Sequence, residues 1–287
     1  MRILTYRKDA FPYLILLPTI VYLIAFLGYP LIQTFILAFT SESGTFGNFQ
    51  RLMDTGDFWK ALKNTILITG IIVPLQLVLA IALALFVNMR FKGYSLILYI
   101  ISIPLALSDV SAALMSYNIF APTGYLNKIL LKLGVLDRPL YFFGYMFQNR
   151  EFWVIVLTEV WRATPLVFVI ILAGLQSINK EYLEAADVFG FSNWQKLRKI
   201  ILPLLKPSIM SALLIRTLFA FQIFGVVWLL AGRDILILAG EAYYWHNNVN
   251  DPHMSSAYAI VIASVSLAIS WFYISILRSK ELEGGQK

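Results

Sequence analysis

Six long stretches almost empty of charge constrain this chain more than any other feature: Phe11–Ala38, Thr65–Asn88, Tyr94–Ile119, Phe152–Leu175, Pro207–Leu230 and Ser255–Leu277. Crossing the hydrocarbon of a bilayer takes ~20 mostly apolar residues, and each stretch is long enough. With no water to satisfy the backbone there, such segments must be helical. The remaining composition agrees. Of 287 residues, 59% are hydrophobic and 14% charged, with mean hydropathy +0.74. A soluble domain has ~45–50% apolar and ~25% charged residues. A soluble globule and a disordered chain are both excluded. The first stretch exceeds a signal-peptide core and lacks an A-x-A-like site, so it reads as a retained span.

Six spans place both termini on one side. With the termini inside, the inner segments hold Arg2, Arg7, Lys8, Arg90, Lys92, Lys180, Lys196, Arg198, Lys199, Lys206, Arg278, Lys280 and Lys287. Six acids accompany them: Asp9, Glu181, Glu184, Asp187, Glu281 and Glu283. Acids and bases balance in the outer loops and in the spans, so the whole net charge of +7 lies on one side. That is the positive-inside pattern of a cytoplasmic face, and nucleic acid is not needed to explain the charge. The chain reads as one all-α domain over residues 1–287, without linker, low-complexity run or repeat, multi-pass in the cell membrane with cytoplasmic termini.

The long inner loop, residues 180–203, carries the most specific pattern. Glu181 to Phe189 is helix-prone with acids early, where the helix dipole favours them. Gly190 suits a left-handed C′ position, Ser192 a cap for a second short helix through Lys199, and Pro203 and Pro207 the first turns of a new helix. Ala185 and Ala186 permit close approach of another backbone, while Tyr182, Leu183 and Phe189 offer apolar contacts.

Glu184-Ala185-Ala186, three residues, Gly190, nine residues, then Ile200-x-Leu202-Pro203 resembles the EAA signature of ABC-importer permease subunits. Further blocks extend the resemblance toward the sugar permeases of the maltose, glycerol-phosphate and trehalose type: Leu17-Pro18 through Tyr29-Pro30, Asn64-Thr65, Pro74-Leu75-Gln76, Trp161-x-x-Thr164-Pro165, Ala173 to Ile178, and Phe221-Gln222-Ile223-Phe224. The chain departs from the family at Phe189-Gly190-Phe191, where Asp-Gly-Ala is frequent, and at Ala231 to Asp234, where a glycine-rich stretch is frequent. The resemblance implies a six-helix type I importer permease (MetI-like) fold. It also implies that Tyr182, Leu183, Glu184, Ala185, Ala186, Phe189 and Gly190 couple to an ATPase. The implied partners are two ATPase subunits carrying ATP and Mg, a second permease that is a different chain, and an extracytoplasmic solute-binding protein delivering a sugar.

Four charges lie within the spans: Asp109, Glu159, Arg162 and Arg216. A charge at the bilayer centre costs at least ~2.5–3.5 kcal/mol, so by default it faces protein or water and marks a pathway. Glu159 and Arg162, at i and i+3, share a helix face. The resemblance places sugar contacts on Leu105, Asp109, Glu159, Arg162, Ala163, Arg216, Phe219, Ala220 and Ile223, and Trp161 is a neighbour able to stack on a ligand. The alternative is structural, with Glu159–Arg162 and Asp109–Arg216 as ion pairs that lock helices together.

Other chemistry is absent from the sequence. Without cysteine there is no disulfide, thiolate site or cysteine nucleophile. No P-loop, nucleophile elbow or H-E-x-x-H exists, so the chain is no enzyme and cannot cradle ATP by the P-loop route. His246 and His253, seven apart in one outer loop, fit no metal-ligand spacing even with Glu241 or Asp251, and no cofactor is expected on this chain. Trp59, Trp153, Trp245 and Trp271 read as interface anchors. An ion-driven carrier or channel acting without an ATPase is the competing function, though neither a Thr-Val-Gly-Tyr-Gly filter nor an arginine ladder is present.

Overall fold

The computed structural model describes residues 5–278, and all their regular structure is helical. Arg2, Lys280, Lys287, Glu281 and Glu283, which enter the charge count, lie outside the described residues. Helix α1 (Thr5–Leu23) runs through a π-helical turn, Ile24–Gly28, into α2 (Tyr29–Phe39). Then come α3 (Gly47–Asp54), α4 (Gly56–Asn88), α5 (Tyr94–Ser102), α6 (Asp109–Phe120), α7 (Tyr125–Lys132) and α8 (Gln148–Gln176). Residues 180–204 hold α9 (Lys180–Val188), α10 (Asn193–Lys196) and α11 (Leu202–Leu204). Last are α12 (Lys206–Phe221), α13 (Gly225–Ala231), α14 (Leu238–Asn247) and α15 (Pro252–Arg278).

Among the described residues, four helices are long and apolar enough to cross a membrane unbroken, and six spans result when each of two bent pairs is counted as one. The expected third span is not continuous. A short 3₁₀ turn, Ile103–Ala106, ends its first half, Leu107 and Ser108 turn extended, and the segment Asp109–Lys132 departs at 104° to that half. Ser108 caps α6 by accepting the Ser111 amide at 3.1 Å. Pro104 and the Ser108-Asp109 pair mark the break, but the surrounding apolar run hides it from a hydropathy reading. The expected fifth span is also divided. Gln222–Phe224 separates α12 from α13 within it, and a 64° bend where α11 meets α12 falls just before its expected start at Pro207.

The chain forms two compact units. The first comprises residues 5–56 and 242–261. Its organising residue is buried Asn48, whose amide donates to the carbonyls of Leu37, Ala38 and Thr40 and so satisfies the open C-terminal end of α2. In the same unit Arg51 pairs with Asp251 at 2.8 Å and lies over the Trp245 ring, while His253 Nδ1 meets the Leu37 carbonyl.

The second unit comprises residues 57–241 and 262–278. Two apolar clusters hold it together. One packs Ile68, Ile72 and Ile155 against Val226, Val227 and Leu230. The other packs Ala80, Ala84, Phe168 and Ile171 against Leu205 and Ala212. Lipid supplies no hydrophobic drive between helices, so close backbone approach matters instead. A Cβ on Gly174 of α8 would collide with the Ser208 side chain of α12, which explains the glycine at that crossing.

Candidate functional site in the membrane-spanning unit

The four charges of the spans form one chain of ion pairs. Arg162 of α8 meets Asp109 of α6 at 2.8 Å through Nη1, and grips Glu159 at 3.0 to 3.1 Å through Nε and Nη2. Arg216 of α12 meets the same Glu159 at 2.9 Å. Arg216 Nε donates to the Gln76 side chain of α4, whose amide donates in turn to the Glu159 carbonyl at 2.8 Å. Helices α4 and α12 thus meet α8 at Glu159, and α6 joins them through Arg162. The expected Glu159–Arg162 pair is present. The alternative pairing of Asp109 with Arg216 is corrected, because Arg216 faces Glu159 and Asp109 faces Arg162.

Solvent access falls steeply along this chain. Side-chain exposure is 43% at Asp109 and 20% at Arg162, against 2% at Arg216 and none at Glu159. Burial of an ion pair is tolerable only when its hydrogen-bonding capacity is filled, and Glu159 meets this by accepting from both guanidiniums. Asp109 opens α6, where the helix dipole favours a carboxylate. Its side chain is crowded by α13, since a Cβ on Gly225 would sit 2.8 Å from Asp109 Cβ.

Asp109, Arg162 and Arg216 line a cavity of about 330 Å³, together with Leu105, Ala163, Phe219 and Ile223. Seven of the ten residues expected on a solute pathway are therefore brought together. Glu159 and Ala220 are buried behind the wall, and Trp161 faces a separate apolar recess with Leu79, Ile100 and Pro165. Pro104, Leu107, Leu166 and Gln222 complete the lining, though none was expected on the pathway. Gln76 was missed as well, although a lone amide within an apolar span is a signal that it needs a polar partner.

The loop at residues 180–203 follows its expected local rules. Asn179 caps α9 by accepting the Glu181 amide. Gly190 has φ +72°, the Gly190 amide donates to Asp187 and the Phe191 amide to Ala186, the Schellman pattern. Ser192 and Gln195 form a capping box on α10. The second helix runs past Lys199, through a π-helical turn at Leu197–Ile201 into α11. Lys196 closes the turn on Asp187, and Lys199 lies over the Phe191 ring. Tyr182, Glu184, Ala185, Val188, Phe189 and Trp194 are exposed, and Leu183 is partly so. Ala186 is buried against its own chain, so Ala185 alone of the two alanines is presented outward.

A second polar cluster lies after α13. Arg233 pairs with Asp57 at 3.2 Å and with buried Glu241 at 3.0 Å. Burial pushes the Glu241 carboxyl above its ordinary range, and the Arg233 guanidinium only partly opposes this. Glu241, weighed as a metal ligand from sequence, is thus committed to an arginine. Among the described residues no group of three or more His, Asp or Glu side chains is placed to hold a metal ion.

Residues 76–279 match the family described as binding-protein-dependent transport system inner membrane component. The chain belongs to this family. Its members are membrane transport subunits rather than enzymes. The chain is 30% identical over 293 residues to the trehalose/maltose transport system permease protein MalF of Thermococcus litoralis, covering 96% of each chain. It is 33% identical over 236 residues to the trehalose transport system permease protein SugA of Mycobacterium tuberculosis, covering 80% of this chain and 73% of that one. It also superposes on a chain of a bacterial alginate ABC transporter solved in complex with an alginate pentasaccharide-bound periplasmic protein. There the TM-score is 0.84 at 26% identity, covering 97% of this chain and 98% of that chain. The fold is the all-helical MetI-like fold of ABC importer permeases.

Proposed function

We propose that this chain is one permease of a sugar-importing ABC transporter, with residues 1–287 working as a single domain that forms half of the translocation pathway. The reading is carried by one observation: within a transport-family fold, three intramembrane charges line one cavity beside Phe219 and Gln222. Sugar hydroxyls both donate and accept, so carboxylate, guanidinium and amide groups suit them, and an aromatic face covers their C–H surface. The names of the relatives, which include trehalose and maltose systems, support the same class of cargo.

An external solute-binding protein delivers the sugar, and a second, different permease completes the path. Two ATPase subunits hold ATP and Mg and receive the exposed face of α9 through Tyr182, Leu183, Glu184, Ala185 and Phe189, with Ala186 and Gly190 shaping the turn. Both termini lie in the cytoplasm with this loop. Closure of the ATPases moves α9 and α10, and α11 and α12 carry the motion into the wall that holds Arg216.

Affinity purification of the tagged chain from its native membrane, with cross-linking from Tyr182→Cys, tests this. Recovery of an ATPase cross-linked at that position is the expected result. A fully active assembly in which α9 touches no other polypeptide overturns it. The pairing of all four charges favours a second reading, in which they serve only to join helices. Transport retained in a well-folded Glu159→Gln/Arg162→Gln variant would establish that role instead.

A further inference from the structure

We propose that Asp109 sets the class of cargo, making the cavity accept uncharged polyhydroxylated solutes and reject anionic ones such as uronates and sugar phosphates. This rests on the reading of the cavity as the solute pathway. Among the described residues, the cations lining the cavity are Arg162 and Arg216. Both are committed. Arg216 is 2% exposed, with Nη2 on Glu159 and Nε on Gln76. Arg162 holds Glu159 with Nε and Nη2 and reaches the cavity side through Nη1, where Asp109 meets it at 2.8 Å. Two carboxylates against two guanidiniums leave the wall neutral.

The most exposed member of that chain is the carboxylate, 43% open against 20% for the guanidinium it neutralises. A solute entering the cavity therefore meets a negative charge first. An anion is repelled by Asp109 and finds no unpaired cation behind it, and in a site of low dielectric both penalties are enlarged. A neutral sugar suffers neither. Its hydroxyls donate to Asp109, accept from the remaining N–H of Arg162 Nη1, and do both with the Gln222 amide. Removing the Asp109 charge leaves Arg162 still bound to Glu159 but frees its Nη1 edge. The wall then carries a net positive charge aimed into the cavity, which is an anion site.

The test uses the whole transporter, purified through this chain into nanodiscs without its binding protein. Trehalose, maltose and digalacturonate are titrated by equilibrium dialysis, without nucleotide and with ATP plus EDTA. Wild type is expected to bind at least one neutral disaccharide saturably and digalacturonate at least ~10-fold more weakly, a gap of about 1.4 kcal/mol. Asp109→Asn should bind digalacturonate at least ~10-fold more tightly than wild type. Asp109→Asn/Arg162→Gln, with both charges gone, should lose that gain. Asp109→Ser serves as the second single variant if Asp109→Asn assembles poorly. The inference is overturned if wild type binds digalacturonate as tightly as the disaccharides, or if neither folded single variant gains anion binding. Wild type binding neither class overturns the solute-pathway reading itself and this inference with it.

Discussion

Glu159 and Arg216 meet at 2.9 Å between α8 and α12 with almost no solvent on either side chain. The pair is the inner anchor of the chain of charges that ends at Asp109 on the cavity surface. Breaking it from one side leaves an uncompensated buried charge, which costs about 3–5 kcal/mol. Glu159→Gln and Arg216→Met should each lower the thermal unfolding temperature of the purified complex sharply. The double variant Glu159→Leu/Arg216→Met should regain at least half of the loss. Additive effects of the two single changes would show that they do not act as a pair.

Gly225 brings the N-terminus of α13 onto Asp109. A methyl group there meets Asp109 Cβ at 2.8 Å, so α13 or the aspartate must move. Overpacking of this kind costs about 1–3 kcal/mol. Gly225→Ala should slow uptake in membrane vesicles about tenfold, equivalent to about 1.4 kcal/mol. Gly70→Ala in α4, where a Cβ meets open space, should leave uptake within about twofold of wild type. Equal uptake by both variants would refute the requirement for close approach.

Gly190 holds φ +72° at the turn between α9 and α10. A left-handed conformation costs a residue with a Cβ about 1–2 kcal/mol, and a β-branched side chain is the worst case. Gly190→Val should separate ATP hydrolysis from transport, leaving basal hydrolysis but little stimulation by solute. Unchanged stimulation, measured as phosphate release in proteoliposomes, would count against the lever.

Glu241 is held protonated more readily in the folded chain than in the unfolded one, because burial outweighs the attraction of Arg233. As pH rises past the ordinary value of 4.5, the unfolded chain releases this proton while the folded chain retains it. The unfolded state then binds fewer protons, so this group's contribution to stability falls with rising pH until the folded carboxyl ionises too. Unfolding temperatures measured from about pH 4 to about pH 8 should show that slope in wild type and a flatter one in Glu241→Gln. Identical slopes would rule out a role for Glu241.

Hydropathy and local grammar were enough to mark the six apolar stretches, the Ser192 cap and the left-handed glycine at 190. Each depends on neighbours within a turn or two of chain, or on a solvent that acts on every residue alike. The presence of four intramembrane charges was equally legible, because lipid penalises a charge wherever it sits along a helix. Beyond the Glu159–Arg162 pair, which i, i+3 spacing already placed on one face, which charge met which was not. Arg216 lies 140 residues from Gln76 and 57 from Glu159. Only the crossing of α4, α8 and α12 decides that these three share one point and that Asp109 is left facing the cavity. The same holds for the bend after Ala106 and for the burial of Ala186, since a run of apolar residues looks alike whether its next neighbour is lipid, another helix or a turn.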